Sequence, residues 1–381
     1  MYSVYQHWDP LKVCVVGKSY PPEFYSYITN TKVRSVMEKI AQETEEDYQK
    51  LIKLLEKFNV KVLRIDMSDD FDIYKNTINS QYRKPLMCPR DDTAMVGSNF
   101  YMPIPFNKWD RIKTDNWPIN APVNNDEFNN LPLYILDELK KYNIFHYCDL
   151  YVNYGWNTIY NDINQFNNVI FNDNNISINT STTTRIGKDL YFGTKPGVDI
   201  RTLQIKYSNQ FPEYRCHVIN IEGHTDATFC PVVPGLIVSL KDIPTYEDTF
   251  PDWEVIYLPD QSWNSVTEFL KLKSKNNGKW WVPGEELNGD FTDFVETWLN
   301  HWVGYVEETV FDVNMLVIDE KNVICNNYNE QLFKVFNRYG ITPHVINFRH
   351  RYFWDGGLHC ITSDIHREGT IKDYFPNRNQ Y

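Results

Sequence analysis

A chain of 381 residues carrying 38 Lys and Arg against 50 Asp and Glu has a formal net charge of -12. That balance, with no dense basic stripe to follow a phosphate backbone, argues against nucleic acid as a partner and suits a small cationic substrate better. Hydrophobic residues at 42% and aromatic residues at 15% describe a packed core rather than a disordered chain, with length for one large domain or two of ~100–200 residues.

The opening stretch MYSVYQHWDPLKVCVVG lacks the basic start and apolar run of a signal peptide. No segment reaches the ~20 apolar residues of a membrane span, so a cytoplasmic protein without membrane contact is expected. Seven cysteines without a C-x-x-C pair speak against a disulfide framework or a zinc ribbon and suggest buried, reduced side chains. No metal-ligand spacing is present, and neither a metal nor an organic cofactor is expected.

In chain order, LKVCVVG (11–17) reads as a strand, 33–58 as a long helix and VKVLRID (60–66) as a second strand. The helix follows from apolar residues Val36, Ile40, Tyr48, Leu51, Leu54 and Leu55 at helical spacing. Residues 79–85 and 120–130 are polar and read as loops. The stretch 183–193 predicts a hairpin turning at Gly187 and Lys188, followed by a helix near 197–208 and a strand at 217–221. The same grammar returns twice. Residues 226–240 predict two strands about Pro234 and Gly235, and 314–327 two strands about Asp319 to Asn322, then a helix and the strand TPHVINF. Residues 262–302 read as an insertion or lid. Nothing resembles a linker, so one domain over 1–381 is favoured.

Chemistry gathers in four stretches: CPRDDTAMVG (88–97), NTSTTTRIGKDLYFG (179–193), EGHTDATF (222–229) and GGLHCITSD (356–364). Cys360 follows Gly356 and Gly357, where a chain without side chains permits close approach. His224 and Asp226 lie two apart, so on an extended strand they would share a face. A cysteine with a histidine is a nucleophile with its acid and base, and clustered carboxylates match the forked donors of a guanidinium. Taken singly, each residue has a plainer reading: Cys360 as packing, His224 as a structural histidine, Asp226 as a turn or cap residue.

Together, HTDATF, CPRD with VG, NMLVIDEKNV and GGLHCITSDIHREGT resemble the arginine:glycine amidinotransferases over about residues 85 to 372, with related matches in the inosamine-phosphate amidinotransferases. The resemblance implies an α/β pentein propeller of five ββαβ-type units around a pseudo-fivefold axis. It also implies Cys360 as nucleophile, His224 as general acid and base, and Asp91 and Asp226 as the carboxylates gripping the guanidinium. The expected activity is transfer of an amidino group from arginine, or a related guanidine, to an amine. The alternatives are a guanidine hydrolase or deiminase of the same superfamily and a non-catalytic guanidine- or amine-binding protein.

The chain departs from the family pattern at several positions. Asp355 replaces the first glycine of the cysteine motif. An ungapped comparison puts Asn179 where an aspartate backs the histidine, and Asp173 takes that place if the loop is gapped. Where the family holds a substrate carboxylate with an arginine and two serines, this chain has Ile243 and Glu307 with Glu308, and Lys241 stands near enough to compensate. Carboxylates there would favour a substrate ammonium, such as that of a diamine or polyamine. Gly223 replaces a bulkier residue beside the acceptor. The sequence leaves the assembly open, a homodimer included.

Overall fold

The computed structural model describes residues 1–65, 84–103, 106–107, 125–141, 151–152, 163–172, 178–221, 223–240, 246–258, 280–300, 302–304 and 310–378. The chain begins with strand β1 (Leu11–Val16), the helix Thr31–Lys57 and β2 (Lys61–Arg64). Asn30 starts the helix by accepting the backbone amides of Lys32 and Val33 at 3.0 and 3.3 Å, which satisfies two otherwise orphaned donors. Its inner face buries Val33, Met37, Ile40, Ala41, Tyr48, Leu51 and Leu55. Each such side chain contributes about 1.5–3 kcal/mol of transfer free energy when large and fully buried. Asn59 ends the helix in the left-handed region at φ 58°, a conformation Asn tolerates better than most residues.

The second sheet comprises β3 (Ala94–Val96), β4 (Asn99–Pro103) and, beyond a short ribbon of β5 (Phe106–Asn107) and β6 (Tyr151–Val152), β7 (Asn168–Asn172). The third holds β8 (Thr183–Ile186), β9 (Asp189–Thr194) and β10 (Arg215–Asn220), with the helix Ile200–Gln210 as crossover. The fourth has β11 (Phe229–Val233), β12 (Leu236–Ser239) and β13 (Glu254–Tyr257). The fifth has β14 (Leu316–Asp319), β15 (Asn322–Cys325), the helix Glu330–Arg338 and β16 (Thr342–Val345). In each of these sheets an antiparallel pair is followed by a parallel strand.

The last strand, β17 (Thr362–Arg367), returns to pair antiparallel with β1, Cys14 opposite Asp364 and Val16 opposite Thr362, while β1 runs parallel to β2. The first sheet is therefore completed by both ends of the described chain, and the described residues form five three-stranded sheets of one design. This is the pentein arrangement. The hairpins and helices expected around 187, 234 and 320 occur within a few residues of their predicted places.

Asp364 ties the sheets together. Its carboxylate accepts from Arg90 at 3.0 Å, Arg185 at 2.8 Å and Arg367 at 2.7 Å, all four side chains being fully buried. Arg90 precedes β3 and Arg185 lies on β8, while Arg367 on β17 also donates to the carbonyl of Val317 on β14 at 2.8 Å. The three guanidinium groups hold the Asp364 carboxyl well below the usual carboxylate range, against the cost of burying it. Five of the seven cysteines, Cys14, Cys88, Cys216, Cys230 and Cys325, are buried free thiols, and Cys360 is partly exposed.

Candidate active site

The short helix Arg351–Trp354 ends on Asp355, which adopts the left-handed conformation at φ 54°. Beyond it the chain squeezes between two neighbours. A side chain at Gly356 would place its first carbon 2.8 Å from Cys88 Sγ, and one at Gly357 2.6 Å from Asn314 Oδ1. The two glycines are needed for this approach, and it delivers Cys360 just ahead of β17. The Asp355 carboxylate lies against Gly304, where it occupies the space a side chain would take.

Two asparagines that the sequence reading did not single out hold the loop in place. Asn314 Oδ1 accepts the backbone amides of His359 at 3.0 Å and Cys360 at 3.1 Å, and its Nδ2 donates to Cys360 Sγ at 2.9 Å. Asn326 stands behind it, accepting the Leu358 amide at 3.1 Å and donating to the carbonyls of Phe311 and Asn314. Both are almost fully buried. A buried Asn is retained only if its amide is satisfied, and that burial is the signal a sequence cannot display.

Asp226 faces Cys360. The Cys360 thiol donates to Asp226 Oδ2 over 3.5 Å, and the same oxygen is 2.9 Å from His359 Nδ1. Burial pushes His359 well below its ordinary value, with Arg90 and His7 adding to the effect, so the imidazole is neutral and donates its Nδ1 proton. Asp226 Oδ1 is buried and has no hydrogen-bond partner among the described residues. Desolvation raises the Asp226 carboxyl to about 6, with Asp91 adding to the rise and His224 opposing it. Burial likewise pushes the Cys360 thiol well above its usual value, and Asp226, Cys88 and Asp91 push it further. The carboxylates thus add to the rise of the thiol, but desolvation is the larger cause.

His224 and Asp226 do not share a strand face. They sit in a turn ahead of β11, which brings His224 Nδ1 to 3.9 Å from Asp226 Oδ1 and leaves the imidazole about half exposed. Asn179 supports this turn through the backbone. Its Oδ1 accepts from the Thr182 amide at 3.0 Å, the Thr182 hydroxyl at 2.9 Å and the Ser181 hydroxyl at 2.8 Å. The Ser181 carbonyl then takes the amides of Thr225 and Asp226 at 2.7 and 3.3 Å. Asp91 lies on the four-residue helix Pro89–Asp92, exposed, while its neighbour Arg90 is pinned in the core by Asp364 and by the carbonyls of His359 and Thr362. Gly223 has φ 117°, and the stem of Lys195, another residue not anticipated, runs beside it. Lys241, Ile243, Glu307, Glu308 and Asp173 lie outside the described residues. Among the described residues no group of three or more His, Cys, Asp or Glu could hold a metal ion, and no helix is long and apolar enough to cross a membrane.

Five three-stranded sheets among the described residues bring a cysteine, a histidine and carboxylates to one place in a pentein fold. Two solved amidinotransferases match nearly the whole chain. One, from Microseira wollei in the saxitoxin biosynthetic pathway, gives a TM-score of 0.58 at 17% identity, covering 98% of this chain and 99% of its own. The inosamine-phosphate amidinotransferase of Streptomyces griseus gives 0.58 at 16%, covering 100% and 99%. In sequence, the chain is similar to the amidinotransferases. It is 26% identical over 195 residues to the mitochondrial glycine amidinotransferase of Xenopus tropicalis, covering 50% of this chain and 39% of that relative. It is 24% identical over 216 residues to the L-arginine:L-lysine amidinotransferase of Pseudomonas savastanoi pv. phaseolicola, covering 54% and 49%. The chain thus spans half or less of the length of these curated relatives. No protein-family model matches it.

Proposed function

We propose that this protein is an amidinotransferase that moves an amidino group from arginine, or a related guanidine, to an amine through an amidino-cysteine on Cys360. The observation that carries the reading is Asp226, whose Oδ2 takes the Cys360 thiol while its buried Oδ1 has no hydrogen-bond partner among the described residues. Such an atom is costly unless a ligand supplies a donor, and a guanidinium supplies both donor and charge. Asp91, at the exposed end of its helix, is the second carboxylate for the same group. In the first half-reaction the Cys360 thiolate attacks the central guanidino carbon. The bond from that carbon to the departing amine then breaks as His224 protonates the amine. In the second, an acceptor amine gives a proton to His224, attacks the same carbon and releases the thiolate. Kinetics are ping-pong.

The guanidinium remains protonated at any working pH, so it enters as a cation and offsets the negative field that adds to burial in keeping Cys360 a thiol. Ionisation of the nucleophile is therefore assisted by the donor. The acceptor is an amine. If Glu307 and Glu308 flank its far end, a diamine or an amino acid with a second ammonium group is favoured over glycine, and Glu308→Gln would weaken kcat/KM for a diamine more than for glycine. The relative named for lysine as well as arginine supports including lysine among the candidates. Mass spectrometry of the protein mixed with guanidino-labelled arginine, with and without glycine, lysine and diamines, tests the reading. Label on Cys360 that passes to one amine is expected. Release as citrulline or urea alone would make it a hydrolase or deiminase. No adduct from any guanidine would leave a binding protein.

A further inference from the structure

Among the described residues Asn314 makes the shortest polar contact to the nucleophile, its Nδ2 standing 2.9 Å from Cys360 Sγ. The amide cannot turn over without loss. Its Oδ1 is committed to the amides of His359 and Cys360, and its Nδ2 also reaches the Asp226 carbonyl at 3.2 Å. Asn326 fixes the Asn314 backbone in turn, through the bond from its Nδ2 to the Asn314 carbonyl at 2.8 Å. The donor is therefore aimed at the sulfur before any substrate arrives.

The thiol sits between opposed influences. Asp226, from the turn before β11, and Cys88 and Asp91, from the Cys88–Asp92 stretch, all disfavour the thiolate. His359 is neutral, and His224 lies on the outer side of Asp226. Asn314 is the neighbour with a hydrogen-bond donor directed at Sγ, and a donor to an anion is stronger than one to a neutral atom.

We propose that Asn314 is a catalytic residue that stabilises the Cys360 thiolate during attack and again when it leaves the amidino carbon. A neutral amide does this without drawing the guanidinium away, as a cation would by competing for Asp226. The role also explains why the nucleophile can function beside a carboxylate. The amide supplies a fixed stabilisation of the anion, and the substrate's charge supplies the rest. This inference rests on Cys360 as the nucleophile of the proposed reaction.

The test is the pH dependence of Cys360 alkylation by iodoacetamide in the full chain without substrate, for the native protein, Asn314→Ala, Asn314→Asp and Asn326→Ser. Asn314→Ala removes the donor, and Asn314→Asp keeps the backbone acceptor while replacing the donor by oxygen. Both should raise the alkylation midpoint, by about one to two pH units for Asn314→Ala and more for Asn314→Asp, because a hydrogen bond to a charged group contributes more than a neutral one. Asn326→Ser loosens the loop and the Asn314 backbone while the Asn314 donor itself remains, and should shift the midpoint less than Asn314→Ala. An unchanged midpoint in Asn314→Ala, or in Asn314→Asp should the first variant fail to fold, would overturn the proposal. So would an equal shift in Asn326→Ser, since loop position alone would then set the thiol. The readout needs no turnover, so it separates a failure of this inference from a failure of amidino transfer.

Discussion

Replacing Asp226 by Asn should make Cys360 easier to ionise while abolishing transfer. The carboxylate oxygen and the sulfur are 3.5 Å apart, and the group is buried. A full charge at that separation corresponds to about 5 kcal/mol at an effective dielectric of about 20, which sets an upper bound on the order of three pKa units on what removing the charge can release. Asn conserves the shape, and its oxygen still accepts the His359 proton. Burial, the largest cause of the raised thiol, is unchanged by the substitution, so the midpoint should fall by about one to three units yet stay above that of an exposed cysteine. Rates of alkylation followed across pH give the measurement. Above pH 6 the variant should react faster. Toward lower pH the two profiles should converge, because the wild-type carboxyl takes up its own proton at about 6. Transfer should be lost at every pH, the guanidinium having lost its buried partner. A midpoint that stays fixed or rises in Asp226→Asn would refute the electrostatic coupling on which donor-assisted ionisation depends.

Two further outcomes follow from the same charges. With Asp226 raised to about 6, kcat/KM for the guanidine should decline as pH falls through that value, well above the range where an ordinary aspartate titrates, and a pH–rate profile checks it. Asp364→Asn leaves three buried arginines without their shared carboxylate, so urea unfolding should show a loss of about 3–5 kcal/mol. Because the Asp364 carboxyl is lowered in the fold, its contribution is present above the unfolded aspartate value and disappears as pH falls through the lowered one, so the variant's deficit should shrink in strong acid.

The sequence by itself determined the repeated hairpin, helix and strand, because apolar periodicity and turn residues are local properties of the chain. It also brought Cys360, His224 and Asp226 forward, because a cysteine beside glycines and a carboxylate near a histidine are reactive residue types whatever the fold, while Asp91 entered through the family resemblance. Pairing was not legible there. β17 joins β1 across 350 residues at the Cys14–Asp364 register, and no local pattern specifies that partner. Nor was orientation. Arg90 and Asp91 are adjacent in sequence, yet one enters the core to meet Asp364 and the other faces outward, a division made by where charge can be paired. Asn179 was read as a partner for the imidazole, and the structure directs its oxygen to the Ser181–Thr182 turn instead. Asn314 and Asn326 resemble any other asparagine in a chain rich in them. Only the fold decides that these two are buried, and burial turns the ordinary amide of Asn314 into a fixed donor on the Cys360 sulfur.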